Sequence, residues 1–288
     1  MKPKTAANYT SLVSSILSAA SSKNVLARTL RGLSAANPSD QTRYDRVWDS
    51  DELLAFIQHK FPDNARLSEL DLRLKASALI ALSIFGRASD LYALRFHGLV
   101  WTGGGVLIQS APIKHSPDGE GWAEPVLVLP CSIQAICPIA ALRAYLDVTK
   151  PKRIKLDSSL GSRSWDHRLF LSTGSRICCI LSSTIAGRLT NLLKDSGFIG
   201  YTAESFRHAG ASRAIKDGAP SDRVARRGRW HSTPTMEKHY IFTKTLRPRQ
   251  HRNDHPEADI FSYIESDDLR SFVFGSMNPR TGPVLLVP

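Results

Sequence analysis

The chain is short of the features that mark several common protein classes. Four cysteines stand in 288 residues (Cys131, Cys137, Cys178 and Cys179), with no C-x-x-C spacing and no paired histidines nearby, which argues against a zinc site and a disulfide framework. They are expected to be reduced, mostly buried small hydrophobes. No run of 18 apolar residues is present and the N-terminus lacks the apolar core of a secretory leader, so neither a membrane span nor export is indicated. The expectation is an intracellular protein. Gly103-Gly104-Gly105 has neither the GxGxxG spacing nor a following Lys-Ser/Thr, so it reads as a turn between strands rather than a nucleotide loop. Acidic residues are in deficit, 26 Asp+Glu against 38 Lys+Arg, and the resulting charge of +12 favours a polyanionic partner through long-range attraction.

What is present suffices for a globular core, since 42% of the residues are apolar. Tyr9, Leu12, Val13, Ile16 and Leu17 make one apolar face of a helix within Thr5–Leu33, and Val25–Leu33 gives a second short amphipathic run before Asn37-Pro38. Asp49 or Ser50 can cap a helix over Asp51–Lys60, and Ser68 one whose apolar stripe (Leu72, Leu74, Ala76, Leu79, Ile80, Leu82) ends near Phe85-Gly86. Val106–Ile108 and Val126–Leu129 predict a small antiparallel sheet. A helix follows from Cys137-Pro138 to Asp147, then a basic, Ser-rich loop over Lys150–Arg163, a short strand over Arg168–Leu171, and an amphipathic helix over Ile185–Leu193 closing at Gly197.

The most informative stretch runs from Glu204 to Tyr240. Arg207 opens a helix expected over Phe206–Lys216; Gly218-Ala219-Pro220 turns the chain into a second basic helix, Ser221–Arg227, which Ser221 can cap. Gly228-Arg229-Trp230-His231 and Tyr240 follow. An arginine fork suits two non-bridging oxygens of a phosphodiester, a histidine can donate to the same oxygens, and a tyrosine hydroxyl can attack phosphorus.

This ordered set resembles the C-terminal pattern of the tyrosine recombinases (the phage integrase family): His-x-x-Arg, then Gly-His or Gly-Trp, then a nucleophilic tyrosine about nine residues on. Here Arg207 takes the arginine place and His231 stands nine before Tyr240, while Gly228-Arg229-Trp230 is similar to the GRW of recombinases from eukaryotic mobile elements of the DIRS and crypton type. Arg87-Ala88-Ser89-Asp90-Leu91 resembles the family's first arginine box, about 120 residues upstream of the second. Arg43-Tyr44 followed by Trp48-Asp49 resembles the RY-x-x-x-WD lead-in of the same branch; by itself it reads equally as a linker whose Tyr44 and Trp48 pack on the next domain. One position departs from the pattern: Glu204 stands where the family has histidine.

The resemblance implies an α+β fold, a mainly helical DNA breaking-rejoining domain with a small antiparallel β-sheet. It implies three parts: residues 1–42 as the remnant of a helical DNA-clamping domain and linker, 43–245 as the catalytic domain, and 246–288 as a tail that is either exchanged between protomers through Ile260–Phe274 or disordered. The implied catalytic residues are Arg87, Lys114 on the hairpin as general acid (with its neighbour His115 as the alternative), Glu204, Arg207, His231 and Tyr240, and Trp230 is the alternative to His231 for the family's His/Trp place. Arg223, Arg226, Arg227 and Arg229 would touch DNA phosphates. The implied partner is double-stranded DNA, bound by a homo-oligomer, a tetramer in this family. Bond energy held in a phosphotyrosine requires no cofactor, metal or ATP, and the site of action would be nuclear if the chain is eukaryotic. An ionised Glu204 would oppose the charge that Arg87 and Arg207 gather, unless it pairs with an arginine, is protonated in the complex, or is replaced in its role by His208.

Overall fold

The computed structural model describes residues 46–109, 125–160, 168–173, 178–242 and 245–246, with side chains left aside at 155–160 and 245–246. The N-terminal helical runs, Tyr44, Lys114 and the tail beyond Leu246 lie outside the described residues. What is described is mainly helical with a three-stranded antiparallel sheet, so the α+β expectation holds.

Asp49 begins the first helix, α1 (Ser50–Lys60), by accepting the N–H of Asp51 at 3.0 Å. Ser68 does the same for α2 (Glu69–Ser83), accepting from Asp71. α2 is the centre of the fold: Leu72, Ala76, Leu79, Ile80 and Leu82 are fully buried, and α4 (Pro138–Leu160), α5 (Ser182–Asp195) and α6 (Ser205–Lys216) pack around it. A helix enclosed on all sides must satisfy its polar residues internally. Accordingly Arg73 donates to the Leu171 carbonyl at 2.6 Å, and Lys75 to Phe61 O and Asn64 Oδ1, both at 2.6 Å.

α2 ends differently from expectation. The residue that enters the left-handed region is Phe85 (φ 50°), not Gly86, and α3 (Ala88–Ala93) starts immediately after with Arg87 as its cap. The sheet pairs β2 (Leu99–Thr102), β3 (Gly105–Ile108) and β4 (Val126–Val128) in the order β2-β3-β4, with Gly103-Gly104 as the turn. Gly105 is required there, because a Cβ would run into the Val128 carbonyl of the neighbouring strand. A two-residue strand, β1 (Val47–Trp48), pairs in parallel with β5 (Thr245–Leu246). Trp48, fully buried, packs on Phe198 and Phe206 and donates to Ser205 Oγ at 2.7 Å, which fixes the start of α6.

Four expectations are corrected. Lys150 to Leu160 is not a loop: α4 runs through Pro151, because beyond the proline a buried Arg153 donates to Leu169 O (2.6 Å) and Thr149 Oγ1 (3.2 Å) and stacks on Phe96, so tertiary contacts override the break. Arg168–Leu171 is no strand of a ladder; it makes isolated bridges, Arg95 with Arg168 and Leu171 with Cys179. Ser221 is the first helical residue of α7 (Ser221–Arg227) rather than its cap, a place taken by Pro220 without a side-chain bond. Two cysteines depart from the buried expectation, Cys178 being exposed and Cys179 half-buried. Cys137 instead helps start α4, its Sγ accepting from Ala140 N at 3.4 Å.

Candidate active site

The site forms where the ends of α2, α6 and α8 (Thr233–Tyr240) meet. α6 lies against the end of α2 because position 210 is glycine; a Cβ there would come within 2.7 Å of Phe85 Cδ1 and 2.8 Å of the Leu82 carbonyl. This close approach brings Arg207, one turn earlier, over the left-handed turn at Phe85, whose carbonyl accepts from Arg207 Nη1 at 2.9 Å. Arg207 is 2% exposed, and its buried Nε has no hydrogen-bond partner among the described residues. Burial first, and the neighbouring Arg87 second, pull its guanidinium down to about 9, with Asp90 and Tyr240 acting in the opposite direction.

The Gly-Arg-Trp tripeptide supplies the other wall. Gly228 has no side chain because the Trp230 indole folds back over it; a Cβ at 228 would fall inside the ring. Arg229 between them is left-handed (φ 57°), and its side chain pairs with Asp90 at 3.0 Å. Trp230 is thereby laid flat over Arg207, 3.7 Å from ring centroid to guanidinium carbon, a cation–π contact that also shields the charge. Its buried Nε1 has no hydrogen-bond partner among the described residues. Ser232 then caps α8, accepting from Thr235 N, and Pro234 lies in the first turn, so a short helix carries Tyr240 back into the cluster.

At Tyr240 the separate parts converge. Arg87 Nη2 donates to the Tyr240 hydroxyl at 2.9 Å, the Arg207 guanidinium lies 5.4 Å from the ring, and Trp230 meets it edge-on at 5.0 Å. Arg87 is oriented by Asp90, whose Oδ2 accepts the Arg87 backbone N–H at 2.8 Å. The structure therefore gathers Arg87, Arg207 and Tyr240 in one pocket of positive charge. His231 is exposed, one residue past the indole that faces the pocket. Glu204 is exposed at the cap of α6, and His208, discussed with it above, stacks instead on the Tyr240 ring. Lys114 lies outside the described residues. Of the four arginines expected at phosphates, Arg229 is engaged by Asp90 and Arg227 donates to the Ser83 carbonyl at 2.6 Å; Arg226 pairs with Asp222 on its own exposed face, and Arg223 is half-buried. The packing of Trp230 over Arg207 has one local sign in the sequence, the glycine two positions before it.

An arginine donor on a tyrosine hydroxyl beside a second, buried arginine is an arrangement suited to an anion that the tyrosine can attack. No group of residues among those described is arranged to hold a metal ion. No described helix is long and apolar enough to cross a membrane.

No protein-family model and no curated protein matches the sequence. Solved structures do. The XerH site-specific recombinase bound to palindromic difH substrate is similar over 70% of this chain and 51% of that one, at 13% identity and a TM-score of 0.49. The Tn1549 transposon integrase in complex with transposon right end DNA is similar over 85% and 77%, at 14% identity and a TM-score of 0.49. A lambda integrase dimer bound to a COC' core site is similar over 74% and 67%, at 19% identity and a TM-score of 0.41. XerA recombinase is a further similar structure, over 88% of this chain and 80% of that one, at 17% identity and a TM-score of 0.46. The chain spans about half the length of the XerH chains it matches.

Proposed function

We propose that this protein is a tyrosine recombinase, a DNA strand transferase that cuts and rejoins duplex DNA for the integration or excision of a mobile element. The observation that carries the reading is the convergence of Arg87 and Arg207 on Tyr240: one guanidinium on the hydroxyl at 2.9 Å, the other buried behind the ring. In the proposed reaction a phosphodiester lies between the two guanidiniums, Tyr240 Oη attacks phosphorus, the bond to the 5′ oxygen breaks, and a 3′-phosphotyrosyl link and a free 5′ hydroxyl result. The arginines stabilise the charge that develops on the non-bridging oxygens. A further hydrogen bond to the phosphate would come from the Trp230 N–H, which is buried without a partner among the described residues, or from the exposed His231. Lys114 would supply the proton to the leaving oxygen. Exposed Arg226, with Arg223, would contact flanking phosphates, which position a protein without encoding sequence. Assembly as a tetramer on DNA, and nuclear action in a eukaryote, belong to the same reading.

A second reading is a DNA-binding protein that keeps the fold with weakened catalysis. Glu204 favours it, an exposed carboxylate at the start of the helix that carries Arg207. Incubation with a nicked suicide substrate separates the two: a covalent DNA adduct that Tyr240→Phe abolishes, at nearly unchanged duplex affinity, is expected. An adduct that persists in Tyr240→Phe rejects the nucleophile, and tight binding with no adduct in the wild type selects the second reading.

A further inference from the structure

One neighbour of Tyr240 has no part in the chemistry above. His208 follows Arg207 on α6, is 8% exposed, and lies face to face with the Tyr240 ring, centroids 4.6 Å apart and planes 17° from parallel. Phe242 closes on the same imidazole at 5.5 Å and 60°. One turn further along α6, Ser212 Oγ donates to the Tyr240 carbonyl at 3.3 Å and accepts the Phe242 N–H at 2.9 Å. Residues four apart share a helix face, so His208 and Ser212 hold the ring and the backbone of one tyrosine from a single surface.

We propose that His208 is a positioning residue for Tyr240, its imidazole face holding the phenol in the rotamer that places the hydroxyl on Arg87. The proposal rests on the reading of Tyr240 as nucleophile. Tyr240 needs such support because it is the last residue of an eight-residue helix and its ring is half-buried, so the helix alone does not fix its side chain. The stacked geometry also separates positioning from proton transfer. Imidazole lone pairs lie in the ring plane, and a phenol over the ring face is not where they point; the hydroxyl is meanwhile occupied by Arg87. α6 thus carries both the buried arginine and the platform of the tyrosine, which locks their separation.

The test compares His208→Phe, which keeps a planar ring without ionisable atoms, with His208→Leu, which fills space without stacking. At saturating nicked substrate, His208→Leu is expected to form adduct about 10–10²-fold more slowly, the scale of a misplaced reacting group, with duplex affinity and melting temperature unchanged. His208→Phe is expected within about threefold of wild type, because an offset aromatic pair is retained. If His208→Phe is as slow as His208→Leu, the imidazole acts chemically and positioning is overturned. Equal rates in all three proteins, or a loss in His208→Leu matched by lost affinity or melting temperature, overturn it as well. An adduct persisting in Tyr240→Phe instead rejects the nucleophile reading itself. Fluorotyrosine NMR at Tyr240 gives a readout without turnover: one narrow ring signal in wild type and His208→Phe, and a broadened or split one in His208→Leu. Identical signals in all three overturn the proposal even if no adduct forms.

Discussion

Asp90 Oδ2 lies 3.0 Å from the Arg229 guanidinium and caps the backbone N–H of Arg87 at 2.8 Å, so one carboxylate oxygen joins the first arginine box to the Gly-Arg-Trp tripeptide. Both side chains are largely shielded, 13% exposed for Arg229 and 22% for Asp90, so solvent screens the pair only in part. Removing either partner leaves the other poorly compensated. Asp90→Ala and Arg229→Ala are each expected to destabilise the fold by about 1–2 kcal/mol, with the double variant falling short of the sum by about 1 kcal/mol. Urea denaturation of the four proteins measures this, and strict additivity would show that the first box and the Gly-Arg-Trp tripeptide are not linked through this pair.

Trp230 and His231 make a second comparison. Trp230→Phe keeps a ring over Arg207 and removes the N–H, and is expected to slow adduct formation by about 10², the scale of one lost donor to a developing anion. His231→Ala removes an exposed side chain and is expected to cost far less. Single-turnover rates with the suicide substrate decide it; the reverse ranking would give the donor role to His231.

Lys75 governs a pH dependence of stability. Burial pulls its ammonium down to about 8 from 10.5, with Asp63 opposing the shift. Between those values the unfolded chain holds a proton that the folded chain has released, so stability contributed by this group rises with pH across the window; below about 8 both states are charged and the cost of the buried cation is carried in full. The slope reaches at most about 1.4 kcal/mol per pH unit. Lys75→Met is expected to flatten it, as measured by urea unfolding at several pH values in that window. A wild type with no more slope than the variant would refute the linkage.

At Glu204, replacement by histidine supplies a donor that is neutral or positive in place of a carboxylate. Glu204→His is therefore expected to raise the rate of adduct formation at neutral pH. Efficient cleavage by wild type that the substitution does not improve would show that glutamate is compatible with the chemistry, and would remove the main support for the binding-only reading.

Much of this was legible in the chain. The caps Asp49 and Ser68, the apolar stripe of α2, and the Gly103-Gly104 turn are local signals, and local rules decide them. The two arginines and the tyrosine could be picked out by order and spacing, but not their distances. What stayed hidden was non-local. Pro151 inside a helix is explained only by Arg153 reaching the Leu169 carbonyl, and β1 is two residues long and defined by a partner at the far end of the domain. Arg227 and Arg229 read as DNA-phosphate contacts because nothing in their neighbourhood names the Ser83 carbonyl or Asp90 as their partners.

Phe85 shows what the site asks of the rest of the fold. A left-handed backbone costs a bulky residue about 1–2 kcal/mol that glycine would not incur, and a glycine stands next to it in sequence, at position 86. Yet the Phe85 carbonyl fixes Arg207, and its ring fills the space under Gly210. A chain optimised for durability alone would relax this turn. Engineering the protein for heat resistance therefore has a forbidden address: gains should be sought in surface helices and loops remote from residue 85, since relieving the strain there would trade a sturdier scaffold for a misplaced arginine.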